Sequence, residues 1–445
     1  MRRVLIPQLG RMWSVRGAVL VAVTTVALFG AASTARAAHT LTVCPAGPPQ
    51  CQFATVQDAL AAASDGDRIL IAAGTYVGGF TIDTSVSLIG AGASQTTISG
   101  GDPDAVTISP GTSVEIRGLT ITAATQTGIV SQGTLTLSYA AVSANGGFCG
   151  GCGVTGGIAN NGVLTLRNST VTRNEGIAAG GLSNDGSATI VDSTFDVNEG
   201  LFDAGNIQNQ GQLELRGSTV SSGRCQYACA FLNTGSGATA LIVDTVVSGN
   251  TAENVAPITN QFGGSLTIRR SILTGGDGAF GAAGALSNVS GLVTVAHSSI
   301  TDNTAVATTN GPGAIRNAGT MTLENSTVSG NVALYDGGGL GNYGTMMVRN
   351  STVSGNTALG GGGGGIYNAG SLALRGSTMS DNTAETIGGG ILNYGNAELT
   401  NSSVTGNSAV QGLNGLFGGG IYNAGTITLR NTGVSGNIPD DCVGC

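Results

Sequence analysis

The chain has 445 residues, of which 76 are Gly, 9% are charged and 4% are aromatic. All 17 basic residues are Arg, so the Walker A loop, Schiff-base chemistry and lysine general bases are excluded. Five of those 17 and none of the acids fall in residues 1–37, which leaves 12 Arg against 25 Asp and Glu, a formal charge of −13 that speaks against nucleic acid as a partner.

At the N-terminus Arg2, Arg3, Arg11 and Arg16 precede an apolar run from Ala18 to Ala32, and Ala35-Arg36-Ala37 fits a small-x-small cleavage site. Residues 1–37 therefore read as a secretory signal peptide, giving a secreted, extracellular protein of bacterial type. The apolar run is short for a spanning helix, and no second one follows, so no membrane span is expected after signal removal. Residues 38–66 read as an N-terminal cap: Phe53 to Ala63 has apolar spacing at Val56, Leu60 and Ala63, which suits a short helix before a first strand at Ile69 to Ile71.

Residues 67–445 are a repeat array. Eleven asparagines recur at intervals of 24 to 30 residues, namely Asn160, Asn184, Asn209, Asn233, Asn260, Asn288, Asn317, Asn342, Asn368, Asn393 and Asn423. Each follows a small and an apolar residue and leads into alternating segments such as Thr426 to Leu429 and Ser351 to Asn356. The pattern predicts three short strands per repeat and a solenoid of about fourteen coils in total, since stacking buries an apolar face that no single repeat can bury. Ile366, Asn368, Leu372, Leu374 and Met379 are expected inside and Tyr367 outside. The Ile366 and Val353 positions should each form a stacked row along the array.

The asparagines are expected at sharp bends, in left-handed backbone, bonded to their equivalents in the next coil. A second asparagine row, Asn145 through Asn437, predicts another such bend. Leucine-rich repeats are of similar length. Here Gly, Ser and Thr fill the segments where their backs would lie, so helix is disfavoured.

The passage Ala54-Thr55-Val56-Gln57-Asp58-Ala59-Leu60 through Asp65 to Tyr76 resembles the entry of pectin-lyase-like right-handed parallel β-helix proteins. The repeats, with Gly-Gly-Gly-Ile and Val-Ser-Gly-Asn, are similar to those of chlamydial polymorphic outer-membrane proteins, without a C-terminal membrane barrel. The resemblance covers nearly the whole of residues 38–445. It implies an all-β, single right-handed parallel β-helix and leaves activity open, because the fold hosts lyases, hydrolases, esterases, epimerases and adhesins. The calcium-binding aspartates of pectate lyases and the paired aspartates of pectin methylesterases have no recognisable counterpart in this chain.

All eight cysteines lie beyond the leader as close neighbours, predicting local disulfides Cys44–Cys51, Cys149–Cys152, Cys225–Cys229 and Cys442–Cys445. The segments after the second asparagine row vary in length, and solenoids bind along such an edge. There Glu175 and Glu199 occupy equivalent positions with Asp203 close by. Stacked carboxylates can share a proton, flank a glycosidic bond or hold a hard cation such as calcium, although solvated turn acids are commoner. No other cofactor or metal is expected. Seven arginines at one repeat position, Arg117 to Arg430, read as an external row. His297 is expected alone in a strand, too isolated for a triad or a metal site.

Five of the eight tyrosines follow residue 330. Tyr367 and Tyr422 are equivalent outward positions, as are Tyr343 and Tyr394, and at roughly 10 Å spacing either pair suits stacking on alternate sugars. Tyrosines that simply cover Gly-rich strands are the structural alternative. An outward threonine column (Thr165, Thr189, Thr267, Thr294, Thr322 and Thr428) is interrupted by Glu214, Met347, Ala373 and Glu398, which argues against an ice-binding array. The resulting expectation is binding, adhesion or structural spacing toward an extracellular glycan or cell-surface component, with an enzyme acting on acidic polysaccharides as the alternative.

Overall fold

The computed structural model describes residues 37–147, 155–279, 283–306, 311–411, 415 and 417–445, so the leader, Cys149 and Cys152 lie outside the described residues. Ala38–Cys445 forms one compact unit. A typical coil runs through Ile366–Asn368, Ser371–Arg375, Thr378–Ser380 and Thr383–Ala384. That is four strands where three were expected. The fourth spans two residues, too short for an alternating pattern to reveal it. Equivalent strands pair in parallel with the next coil, producing in coil order a first sheet of 15 strands, a second of 16, a third of 15 and a fourth of 10. The winding is right-handed with about 15 turns, one more than expected, because Thr40–Val43 already pairs with Arg68–Ile71 inside the anticipated cap.

Alternation fixes which residues point inward. Ile366, Leu372, Leu374 and Met379 are buried, as are their equivalents above and below, and together they form one continuous core. Complete burial of each such side chain is worth about 1.5–3 kcal/mol. At the N-terminal end the helix Val56–Ala62 closes this core by burying Val56 and Ala59. Its start is set by Thr55, whose hydroxyl accepts from the Asp58 backbone N–H at 3.1 Å.

Three side-chain ladders hold the corners. At the bend from the first to the second sheet every Asn side chain donates to the next, from Asn160 to Asn184 at 2.7 Å through Asn393 to Asn423 at 2.7 Å. The row is unbroken between them. At the bend from the second to the third sheet a serine row, unrecognised in the sequence, does the same through main chain: Ser326 N–H donates to Ser351 Oγ and Ser351 N–H to Ser377 Oγ, at 3.1 and 3.3 Å.

The third ladder joins the second asparagine row, as in Asn356 to Asn382 at 2.9 Å. Between Asn145 and Asn437 two coils lack its asparagine and carry Gly223 and Gly276 instead. The C-terminal tail ends both asparagine ladders: Gly444 O accepts from Asn423 and Asp441 Oδ1 from Asn437, at 2.8 and 3.0 Å.

The left-handed backbone does not fall on the ladder asparagines. It falls on the residues just before the serine row and just before the second asparagine row, such as Asn350 (φ 48°) and Asp381 (φ 57°). His297 (φ 52°) is one of these, placed at a corner and not in a strand. The amide ladder needs its members extended, so the sharp turn passes to the neighbour.

Candidate functional site

The first sheet continues its outward column through Gly341, Tyr367, Leu392 and Tyr422, each in register with the next. Tyr343 and Tyr394 directly follow the ladder residues Asn342 and Asn393 and therefore stand at the edge of the same sheet. The rings of Tyr343 and Tyr367 lie 5.5 Å apart at 44°, and those of Tyr367 and Tyr394 lie 6.0 Å apart at 56°. The two expected pairs at wide spacing thus interleave into one strip. Tilted pairs at this distance attract, by about 0.5–1.5 kcal/mol each beyond their buried area. Tyr343 and Tyr394 remain 38% and 50% exposed, whereas Tyr367 and Tyr422 are half-buried.

Two charged residues border the strip, and neither stood out in the sequence. Arg316, one coil before Gly341 in the same column, holds its guanidinium 5.1 Å over the Tyr343 ring. Asp336, on the preceding loop, accepts from the Gly362 backbone N–H at 2.7 Å. Burial pushes the Asp336 carboxyl above the usual carboxylate range, with the Gly362 bond acting against it. Burial, with the charge of Asp336 as a further contribution, raises the phenols of Tyr343, Tyr367 and Tyr394. Gly341 leaves the column bare beside the Tyr343 ring, where a Cβ would come within 3.1 Å of Pro312. The strip is an aromatic surface with a cation at one end and a carboxylate alongside, a set suited to a ligand with apolar faces and hydroxyl edges.

Glu175 and Glu199 are exposed register partners in the fourth sheet, and Glu199 is in turn paired with Arg224. Asp203 accepts from Gln208 Nε2 at 3.3 Å, and burial raises its carboxyl above the ordinary value. Among the described residues no three or more His, Cys, Asp or Glu side chains are grouped so as to hold a metal ion.

The disulfides Cys44–Cys51, Cys225–Cys229 and Cys442–Cys445 are formed as expected. The arginine row faces outward and pairs with acids at Glu214, Glu324 and Glu398. Leu241 adds a further break to the threonine column.

No family model matches the chain, and no curated protein sequence does either. Solved structures with a similar winding include pectate lyase Pel9A, at TM-score 0.33 and 14% identity over 71% of this chain and 75% of that one. Pectin methylesterase from carrot gives 0.32 and 13% over 64% and 82%. The A-module of the mannuronan C-5 epimerase AlgE6 from Azotobacter vinelandii gives 0.30 and 14% over 87% and 91%. At these scores no function passes from them to this chain, and the β-helical fold rests on the chain's own strand register.

Proposed function

We propose that the protein is an exported glycan-binding solenoid that works without a cofactor, and that the strip Tyr343–Tyr367–Tyr394–Tyr422 is its contact surface. The interleaved rings carry this reading. They offer a rigid aromatic strip along the coil axis, fixed at its edge by the buried asparagine ladder, with Arg316 and Asp336 supplying a hydrogen-bond donor and an acceptor for ring substituents. Rigid aromatics lose little side-chain entropy on binding. Extracellular polysaccharide or a glycosylated cell surface is the partner in this reading, and the protein serves in attachment and not in turnover.

The test is affinity electrophoresis of the Ala38–Cys445 protein in gels containing polygalacturonate, alginate, xylan or mannan. Retention by at least one polymer is expected. It should fall about tenfold or more in Y367A/Y394A while circular dichroism still shows the folded β-helix, and E175Q/E199Q should be retained like the parent. Release of reducing ends or unsaturated uronates that disappears in E175Q/E199Q would instead establish a polysaccharide-active enzyme with the glutamates at its centre.

A further inference from the structure

We infer that the loops of the N-terminal half carry a second platform for the same glycan, so that the ligand is a long polysaccharide held at two points along the solenoid. This rests on the glycan-binding reading above. Between the fourth and first sheets the loops of successive coils bond to one another through main chain: Phe202 N–H donates to Ile177 O and Tyr227 N–H to Phe202 O, at 2.9 and 3.0 Å. Tyr227 therefore lies on the coil after Phe202, opposite Asp203 and one position along from Phe202. Phe202 is 49% and Tyr227 41% exposed.

Two exposed aromatic side chains on directly bonded loops of adjacent coils offer a contact surface. They are also fixed in place. Ala204, Ala228 and Leu232 pack together at the base of these loops, the Cys225–Cys229 disulfide closes the Tyr227 loop, and Asp203 is tied to Gln208. Exposed Glu199 lies on the same loop edge as Phe202, and Asp203 follows Phe202 directly, so acceptors for sugar hydroxyls border the rings.

Gln208 places this platform on the same face as the tyrosine strip. Its outward column runs in register through Leu232, Thr259, Ser287, Arg316 and Gly341 to Tyr367. Six coil steps separate Gln208 from Tyr367, roughly 29 Å at about 4.8 Å per coil. Leu232, Thr259 and Ser287 between them are buried. A chain that spans the gap gains from both ends through effective concentration, whereas a short oligosaccharide reaches only one.

The experiment compares Ala38–Cys445 with F202A/Y227A and Y367A/Y394A on polygalacturonate, alginate, xylan and mannan, each as polymer and as tetrasaccharide, by affinity electrophoresis and calorimetry. F202A/Y227A should lose about tenfold or more in polymer retention while its tetrasaccharide affinity at the tyrosine strip and its melting temperature stay at the parent values. F202Y/Y227F should restore polymer retention. Polymer retention equal to the parent in F202A/Y227A, with loss in Y367A/Y394A, would overturn the second platform and leave the first standing. Retention of no polymer, or retention indifferent to the tyrosines, would overturn the glycan-binding reading itself.

Discussion

Asn206 donates its side-chain amide to Asn250 Oδ1 at 3.0 Å across a coil whose own rung is Gly223. It also accepts from Asn198 Nδ2 at 2.8 Å, so a residue from the next bend stands in for the missing member and joins the ladder across the gap. A Cβ at Gly223 would collide with the Cys229 carbonyl oxygen and lie 2.5 Å from the Asn206 amide, so only glycine fits at this rung. N206A should therefore lose about 1–3 kcal/mol, the penalty for leaving buried polar partners unmet. Exposed N396A, as a control, should stay within about 0.5 kcal/mol of the parent. Denaturant unfolding measures both, and equal midpoints for the two variants would refute the rung.

The first ladder makes a parallel demand on a coil with no such substitution. Asn342 accepts from Asn317 and donates to Asn368, at 2.9 and 2.7 Å. N342A should cost about 1–3 kcal/mol. Its unfolding midpoint should drop without a change in slope, and an unchanged midpoint would mean that the row is dispensable.

At the N-terminal end of the same ladder Ser131 is the register partner of Asn160, buried, with a hydroxyl that has no hydrogen-bond partner. S131N should add a rung by donating to Asn160 Oδ1 and stabilise by about 1 kcal/mol. A lower melting temperature in this variant would show that the site has no room for the amide.

Asp336 gives a pH dependence of defined sign. Its folded-state carboxyl titrates above the unfolded value of about 3.9, so its ionisation opposes folding. Relative to D336N, the parent should be at its best below about pH 3.9 and lose stability as pH rises through the raised Asp336 value. Melting curves of both proteins between pH 3 and pH 7 test this. A parent that gains on D336N with rising pH would reverse the assignment.

Material exported from cells should begin near Ala38 and show no alkylatable thiol at Cys44, Cys51, Cys225, Cys229, Cys442 or Cys445 without reductant. Intact-mass and N-terminal peptide analysis reads both. Retention of Met1 would remove the export reading.

The sequence by itself determined the solenoid. Ile366, Leu372, Leu374 and Met379 repeat with a local in/out period, and the spacing of Asn160 through Asn423 alone fixes which residues meet in neighbouring coils. The ladder was legible for the same reason, since each rung bonds to its own equivalent. What only the tertiary structure decided are contacts between non-equivalent positions. Asn206 fills a gap that belongs to another bend, and Tyr343 meets Tyr367 because an edge position and a face position lean together. Arg316 shares the Tyr367 column but reaches the ring of Tyr343 at the sheet edge, and Asp336 borders the rings from a loop outside the repeat, while the serine row was hidden because its bonds run to main chain. Variable loop length breaks the period just where the Phe202 and Tyr227 loops fold over the first sheet. Periodicity specifies contacts related by the coil translation, and the candidate sites are built from those that are not.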